Sequence, residues 1–148
     1  MKIETAGNRT DSFVETLLIL WEASVRATHD FLAEADIERI KPQARQGLRD
    51  VASLLYAVND AGRICGFMGV QDKMIEMLFI APDQRGNGLG RRFMEEAVSG
   101  FSAVFVDVNE QNTQGVKFYE HVGFTRRGRS ETDAQGNPFP ILHMEKIR

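Results

Sequence analysis

Met74-Ile75-Glu76-Met77-Leu78-Phe79-Ile80-Ala81-Pro82-Asp83-Gln84-Arg85-Gly86-Asn87-Gly88-Leu89-Gly90-Arg91-Arg92-Phe93 is the stretch that decides how this chain folds. Met74 to Ile80 is almost wholly apolar, as expected of a central strand covered on both faces. Leu89, Phe93, Met94 and Ala97 recur at helical spacing, so a helix starts at Leu89. Between strand and helix lie three glycines at alternate positions, Gly86, Gly88 and Gly90. A strand that turns sharply into a helix leaves the first backbone N–H groups unpaired and pointing one way. Glycines let that backbone approach a ligand, and the helix dipole favours an anion there. A pyrophosphate is the natural guest; a tight structural turn is the plain alternative.

Working upstream, Leu54 to Val58 and Ile64 to Val70 read as strands joined by turns at Asn59-Asp60-Ala61-Gly62 and Gln71-Asp72-Lys73. Short turns join antiparallel neighbours, so these segments form a meander with the central strand. Ser12 and Glu15 have the spacing of a capping box, and Phe13, Leu17, Trp21 and Val25 then recur every fourth residue, which predicts a helix ending near Thr28. Ile37, Ile40, Ala44 and Leu48 suggest a second helical stretch that Pro42 is expected to break or kink. Met1 to Thr5 reads as a short first strand. Downstream, Ala103 to Val108 is another buried strand, Thr113 to Val122 a helix and Phe124 to Arg127 extended. A turn-rich loop, Gly128 to Pro140, leads to a last strand, Ile141 to Lys146. The fold class is α/β, with about four helices and a mixed sheet of six to seven strands, antiparallel at first with a strand–helix–strand crossover at its centre. Residues 1–148 are expected to form one domain.

The totals narrow the function. Eighteen basic and 21 acidic residues give a net charge of −3 with no concentrated basic face, which argues against nucleic acid as a main partner. No run approaches membrane-spanning length and no signal-peptide stretch opens the chain, so a cytoplasmic protein is expected. Cys65, the single cysteine, permits no internal disulfide and lies in an apolar run where a buried hydrophobe is expected. No cluster has metal-ligand spacing.

Three families read such glycine loops differently. A P-loop needs Lys followed by Ser or Thr, and here Arg91-Arg92-Phe93 follows. A dinucleotide fingerprint gains from Asp107, about 20 residues on at the end of the next strand, where a ribose-binding acid belongs. Its third glycine, however, would fall at Arg91, and too little chain follows for a second βαβ half. The third reading fits best. Arg85-Gly86-Asn87-Gly88-Leu89-Gly90 resembles the Gln/Arg-x-x-Gly-x-Gly/Ala loop of the GCN5-related N-acetyltransferase (GNAT) family. The resemblance extends through Leu78-Phe79-Ile80-Ala81-Pro82, Asn109-Glu110-Gln111-Asn112 and Phe118-Tyr119-Glu120-His121-Val122-Gly123-Phe124. Ala27-Thr28-His29-Asp30-Phe31-Leu32 and Gly128-Arg129-Ser130 further resemble a small bacterial subgroup within that family.

What the resemblance implies is acetyl transfer from acetyl-coenzyme A, a cosubstrate, to a primary amine by direct attack in a ternary complex, without a metal. It implies that the strand before the loop carries a bulge and splays from its parallel neighbour. It places cofactor contacts on Leu78, Phe79 and Ile80, on Arg85, Gly86, Asn87, Gly88, Leu89, Gly90 and Arg91, and on Asn112 and Tyr119. Tyr119 is implied as general acid for the departing sulfur, suited by a phenol that keeps its proton at neutral pH; packing on its helix face is the alternative. Asn112 also reads as a helix N-cap. Two acids compete for the role of general base. Strict alternation puts Glu76 on the face shared by Leu78 and Ile80, and Asp107 lies on the neighbouring strand; satisfied structural acids, or deprotonation through water, remain open. Thr28 and His29 follow the first helix, where the family builds its acceptor site, although a histidine there also reads as a cap or surface residue. The loop with Glu131 and Asp133 forms the other wall, and Glu110 and Asp107 add to a hint of an amine guest. A non-catalytic coenzyme A-binding sensor and a small dinucleotide binder are the rival readings. The acceptor, protein or small molecule, and the choice of monomer or homodimer stay open.

Overall fold

The computed structural model describes residues 1–146. The chain runs β1 (Lys2–Thr5), α1 (Asp11–Thr28), α2 (Glu34–Asp50), β2 (Ser53–Val58), β3 (Ile64–Gln71) and β4 (Met74–Ile80). A 3₁₀ turn at Pro82–Gln84 then leads to α3 (Leu89–Phe101), β5 (Phe105–Asn109), α4 (Thr113–His121), β6 (Phe124–Ser130) and β7 (Ile141–Lys146). The strands form one seven-stranded sheet in the order β1-β2-β3-β4-β5-β7-β6. Every neighbouring pair is antiparallel except β4 with β5.

Strand alternation sorts the apolar side chains into two cores. On one face Leu55, Met68, Ile75, Val106 and Met144 pack with α3 and α4. On the other, Leu54 and Phe67 pack with Leu17, Leu18 and Trp21 of α1 and with Ile37 and Leu48 of α2. Phe93 of α3 is fully buried, worth about 1.5–3 kcal/mol by area transfer. It sits so close to Gly66 of β3 that a Cβ there would lie 3.1 Å from its ring. Among the described residues no helix is long and apolar enough to cross a membrane.

Three expectations change. The cap of α1 is Thr10, whose Oγ1 accepts from Phe13 N–H at 3.2 Å, so the helix starts ahead of the Ser12–Glu15 pattern. The second helix is unbroken from Glu34 to Asp50 with Pro42 inside it. Pro42 lies on the exposed side, where water can satisfy the carbonyl its missing N–H leaves free. Lys41 and Arg45 beside it pair with Glu22 and Glu15 of α1 at 3.0 and 2.9 Å, tying the helix down on either side. β6 runs on to Ser130, so Gly128 belongs to a strand rather than to the loop.

Candidate active site

The site begins as a failure of pairing. β4 and β5 are matched only at Met74–Phe105 and Ile75–Val106, although β4 continues to Ile80 and β5 to Asn109. At the same point β4 slips against β3: Gly69 faces Met77, Val70 faces Ile75, and Glu76 is the extra residue between. Such a bulge bends its strand and ends pairing on the far side. It also breaks the alternation assumed for Glu76. Ile75, Leu78 and Ile80 belong to the α3/α4 core, whereas Met77 and Phe79 belong to the α1/α2 core. Glu76 therefore shares its face with Met77, on the α1/α2 side, and not with Leu78 and Ile80.

The parting leaves backbone groups free. Ala81 N–H bonds Cys65 C=O at 2.8 Å, so by the two-residue rhythm of an antiparallel ladder Phe79 and Ala81 turn their amides and carbonyls to β3. Leu78 and Ile80 turn theirs into the gap. Of the three β4 residues marked for cofactor contact, Phe79 is the one whose backbone faces away, though it still lines the cleft. That cleft has a volume of about 710 Å³ and runs through the sheet, from Ser24, Thr28 and His29 on one side to the glycine loop and Tyr119 on the other.

At the α3 mouth, Gly86 and Gly88 have φ of +81° and +79°, with open space where a Cβ would stand. Backbone conformation, not crowding, demands glycine at both. No side chain caps α3, and its first helical bond is Arg92 N–H to Gly88 C=O at 3.1 Å. The amides of Leu89, Gly90 and Arg91 thus point into the cleft unpaired by the helix. Gly90 serves a different end: a Cβ there would lie 3.1 and 3.2 Å from the Phe118 ring, so it lets α3 and α4 close together. Arg85 is held by Gln114 across the mouth, and Arg85 and Arg91 line the cleft beside the loop.

Tyr119 is 7% exposed and meets Phe118 and Phe124 edge to face, at 5.2 and 5.7 Å. Among the described residues its hydroxyl has no hydrogen-bond partner, yet it is not an atom sealed from solvent. Tyr119 lines the cleft, and burial pushes the phenol well above its ordinary range. Asn112 is the N-cap of α4, accepting from Gly115 N–H at 3.1 Å, and also lines the cleft.

The opposite mouth holds the titratable groups. Burial, then the charges of Asp107 and Asp72, raises the Glu76 carboxyl above the usual glutamate value. Asp107 accepts from His143 Nδ1 at 2.7 Å. The Thr28 hydroxyl donates to Ser24 C=O at 2.8 Å, so the 2.7 Å contact with His29 Nδ1 requires the imidazole to donate there. His29 then presents Nε2 as an acceptor, and burial lowers its pKa to about 4 despite the nearby Asp30. Glu110 does not belong to this group: Arg129 takes both its oxygens, at 2.6 and 3.0 Å. Asp133 is likewise occupied, accepting from the backbone of Gln135 and Asn137 to shape its own loop. Sequence reasoning passed over Phe31 and Phe139, whose rings stand 6.0 Å apart and join the α1–α2 loop to the β6–β7 loop. It also passed over the links from Asp107 to His143 and Ser130, since nothing local to any of the three announces them.

A slot through a mixed sheet, with uncapped helix amides at one mouth and a raised carboxyl and a low-pKa histidine at the other, is an arrangement that suits a group-transfer domain for a ligand with a diphosphate tail. β4 and β5 are the one parallel pair among the described residues, which therefore hold no second βαβ half of the kind a dinucleotide fold uses. Residues 24–148 match the acetyltransferase (GNAT) domain, and the chain belongs to that family. It is an N-acetyltransferase that moves an acetyl group from acetyl-coenzyme A to an amine; the sensor reading is not favoured. It is similar to the peptidyl-lysine N-acetyltransferase YjaB of Escherichia coli, 42% identical over 133 residues that cover 90% of each chain. The protein of the same name from Salmonella typhimurium is 41% identical over 130 residues, covering 88% of this chain and 89% of that one. The solution structure of apo YjaB from Escherichia coli superimposes with a TM-score of 0.88 at 39% identity, covering 99% of both chains.

Proposed function

We propose that this chain is a single-domain, cytoplasmic acetyltransferase of protein lysine side chains, in which the amine attacks acetyl-coenzyme A directly within a ternary complex. The observation that carries the reading is the slot, which lets a thioester entering from α3 meet an amine entering from α1. The peptidyl-lysine activity of relatives with more than two-fifths of the residues in common supports the acceptor class. So does the acceptor mouth: the rings of Phe31 and Phe139 suit a methylene stem, and Glu76 and Asp107 suit the ammonium group at its tip.

Acetyl-coenzyme A supplies the activated carbonyl. In this reading the free amides of Leu89, Gly90 and Arg91, with Gly86, Asn87 and Gly88 of the loop, hold the diphosphate, and Arg85 and Arg91 add charge. The backbones of Leu78 and Ile80 hold the acyl end, where an Ile80 N–H steadies negative charge on the oxygen. Phe79 packs beneath them, and Asn112 contacts the pantetheine arm while capping α4. Glu76, with its raised pKa, takes the proton from the ammonium. As the new N–C bond forms and the C–S bond breaks, Tyr119 gives its proton to the sulfur; the second nitrogen proton passes through water to the Tyr119 phenolate, and Glu76 releases the first to solvent, leaving amide, free thiol and both side chains as they began. Thr28 and His29 orient the amine, His29 through Nε2.

An amine panel with acetyl-coenzyme A, read by released thiol, tests the assignment. Peptides with an internal lysine and a blocked N-terminus should react at least about tenfold faster than peptides with a free N-terminus and no lysine. Equal rates, or faster acetylation of polyamines or aminoglycosides, would overturn the lysine reading, and lack of affinity for coenzyme A would overturn the whole.

A further inference from the structure

Asp107 is one end of an array spread over three adjacent strands, with His143 at its centre. Asp107 of β5 and His143 of β7 are direct cross-strand partners. Their sequence neighbours, Val106 and Val108, Leu142 and Met144, all point into the α3/α4 core, so both side chains stand on the acceptor face. His143 Nδ1 lies 2.7 Å from Asp107 Oδ1, and Nε2 lies 2.7 Å from Ser130 Oγ of β6. A slip in β6 between Arg126 and Gly128 makes this possible by bringing Gly128 opposite His143. Ser130, two residues on, thereby reaches the same face, and the ring lies over a glycine, 3.7 Å from where its Cβ would be.

The contact with Asp107 follows from donor chemistry. A carboxylate only accepts, so Nδ1–H donates to Asp107, and Nε2 shares a hydrogen bond with the Ser130 hydroxyl, which can serve as donor or acceptor. One carboxylate oxygen is thus fixed. The other has no protein partner among the described residues, and Asp107 lines the cleft next to the gap where Glu76 sits. The Asp107 carboxylate is near enough to be the first charge acting on Glu76.

We propose that His143, steadied by Ser130, is a positioning residue that holds Asp107 at the acceptor mouth, so that Asp107 and Glu76 together receive the ammonium group of the acceptor. The side chains of His143 and Asp107 are 28% and 39% exposed, too open for the contact to matter much to stability. Its consequence is the aim of a carboxylate that would otherwise rotate freely. The proposal rests on the acetyltransferase reading above.

The test pairs His143→Leu with His143→Asn, because the asparagine amide nitrogen can take the place of Nδ1 and still donate to Asp107. His143→Leu should raise KM for a blocked lysine peptide, or lower its kcat/KM, about tenfold, with KM for acetyl-coenzyme A unchanged and the melting temperature near that of the wild type. His143→Asn should recover activity to within about threefold of wild type, and in an Asp107→Ala background the leucine change should be silent. Affinity of coenzyme A-saturated protein for Nα-acetyl-lysine amide, followed by NMR, should weaken in the same pattern and needs no turnover. Wild-type failure to acetylate lysine thus counts against the function, while the binding series judges His143. An unaltered acceptor affinity in His143→Leu, an asparagine variant as defective as the leucine one, or an undiminished effect without Asp107 would overturn the proposal.

Discussion

Replacing Tyr119 with phenylalanine removes one oxygen and little else. The ring would keep its edge contacts with Phe118 and Phe124, and the hydroxyl has no hydrogen bond among the described residues to lose. Stability should therefore change by less than about 1 kcal/mol. The rate should respond quite differently. A positioned proton donor is worth about 10²–10⁴ in kcat, or roughly 3–5 kcal/mol of barrier, because the sulfur must otherwise leave as a bare thiolate. Burial holds the phenol protonated well beyond its ordinary range, so the defect should be of similar size from about pH 6 to pH 9. Steady-state thiol release gives kcat and KM; calorimetry gives the affinity for coenzyme A, which should stay within about threefold of wild type. A kcat within about threefold of wild type would refute the assignment, and a loss of rate matched by a loss of coenzyme A affinity would return Tyr119 to packing.

Glu76→Gln should lower kcat about 10–10²-fold at neutral pH. In the wild type the acid limb of kcat should lie above the ordinary glutamate value, and Asp107→Asn should move it down by removing one of the charges that raise Glu76; a limb that stays in place denies the coupling. His29 has a folded-state pKa lowered from 6.5 to about 4, so the unfolded chain takes up the proton first. Its contribution to stability is complete above about pH 6.5, falls as pH drops toward 4 and levels off below, by at most about 3 kcal/mol. Urea titrations should show this slope in the wild type and its loss in His29→Gln. Gly88→Ala places a Cβ in open space at φ +79°, so its cost is purely conformational, about 1–2 kcal/mol; an unchanged urea midpoint would show that the turn relaxes.

Much of this site could be read from local pattern, because its parts are local. The positive-φ glycines, the helix start at Leu89, the cap at Asn112 and the aromatic at Tyr119 each depend on a few neighbouring residues. The misreadings lie where distant strands decide. Ile75-Glu76-Met77 alternates like any half-buried strand, and only its pairing with Gly69 and Val70 reveals the bulge that moves Glu76 to the other face. Glu110 looked free for an amine until Arg129, 19 residues on, folded back over it. The aim of Asp107 depends on β7 lying between β5 and β6, an order that no short window of sequence contains. Pro42 reads as a break or kink because its ring and missing N–H both oppose a helix interior, and only the fold shows that it faces water.

A passage open at both ends also governs traffic. In the proposed function the diphosphate enters beside α3 and the amine beside α1, on opposite faces of one sheet, so spent carrier would depart from the rear while a bulky client stays docked at the front. Neither party would then wait for the other's exit, and several modifications would follow on one client during a single encounter, at a pace set by carrier exchange.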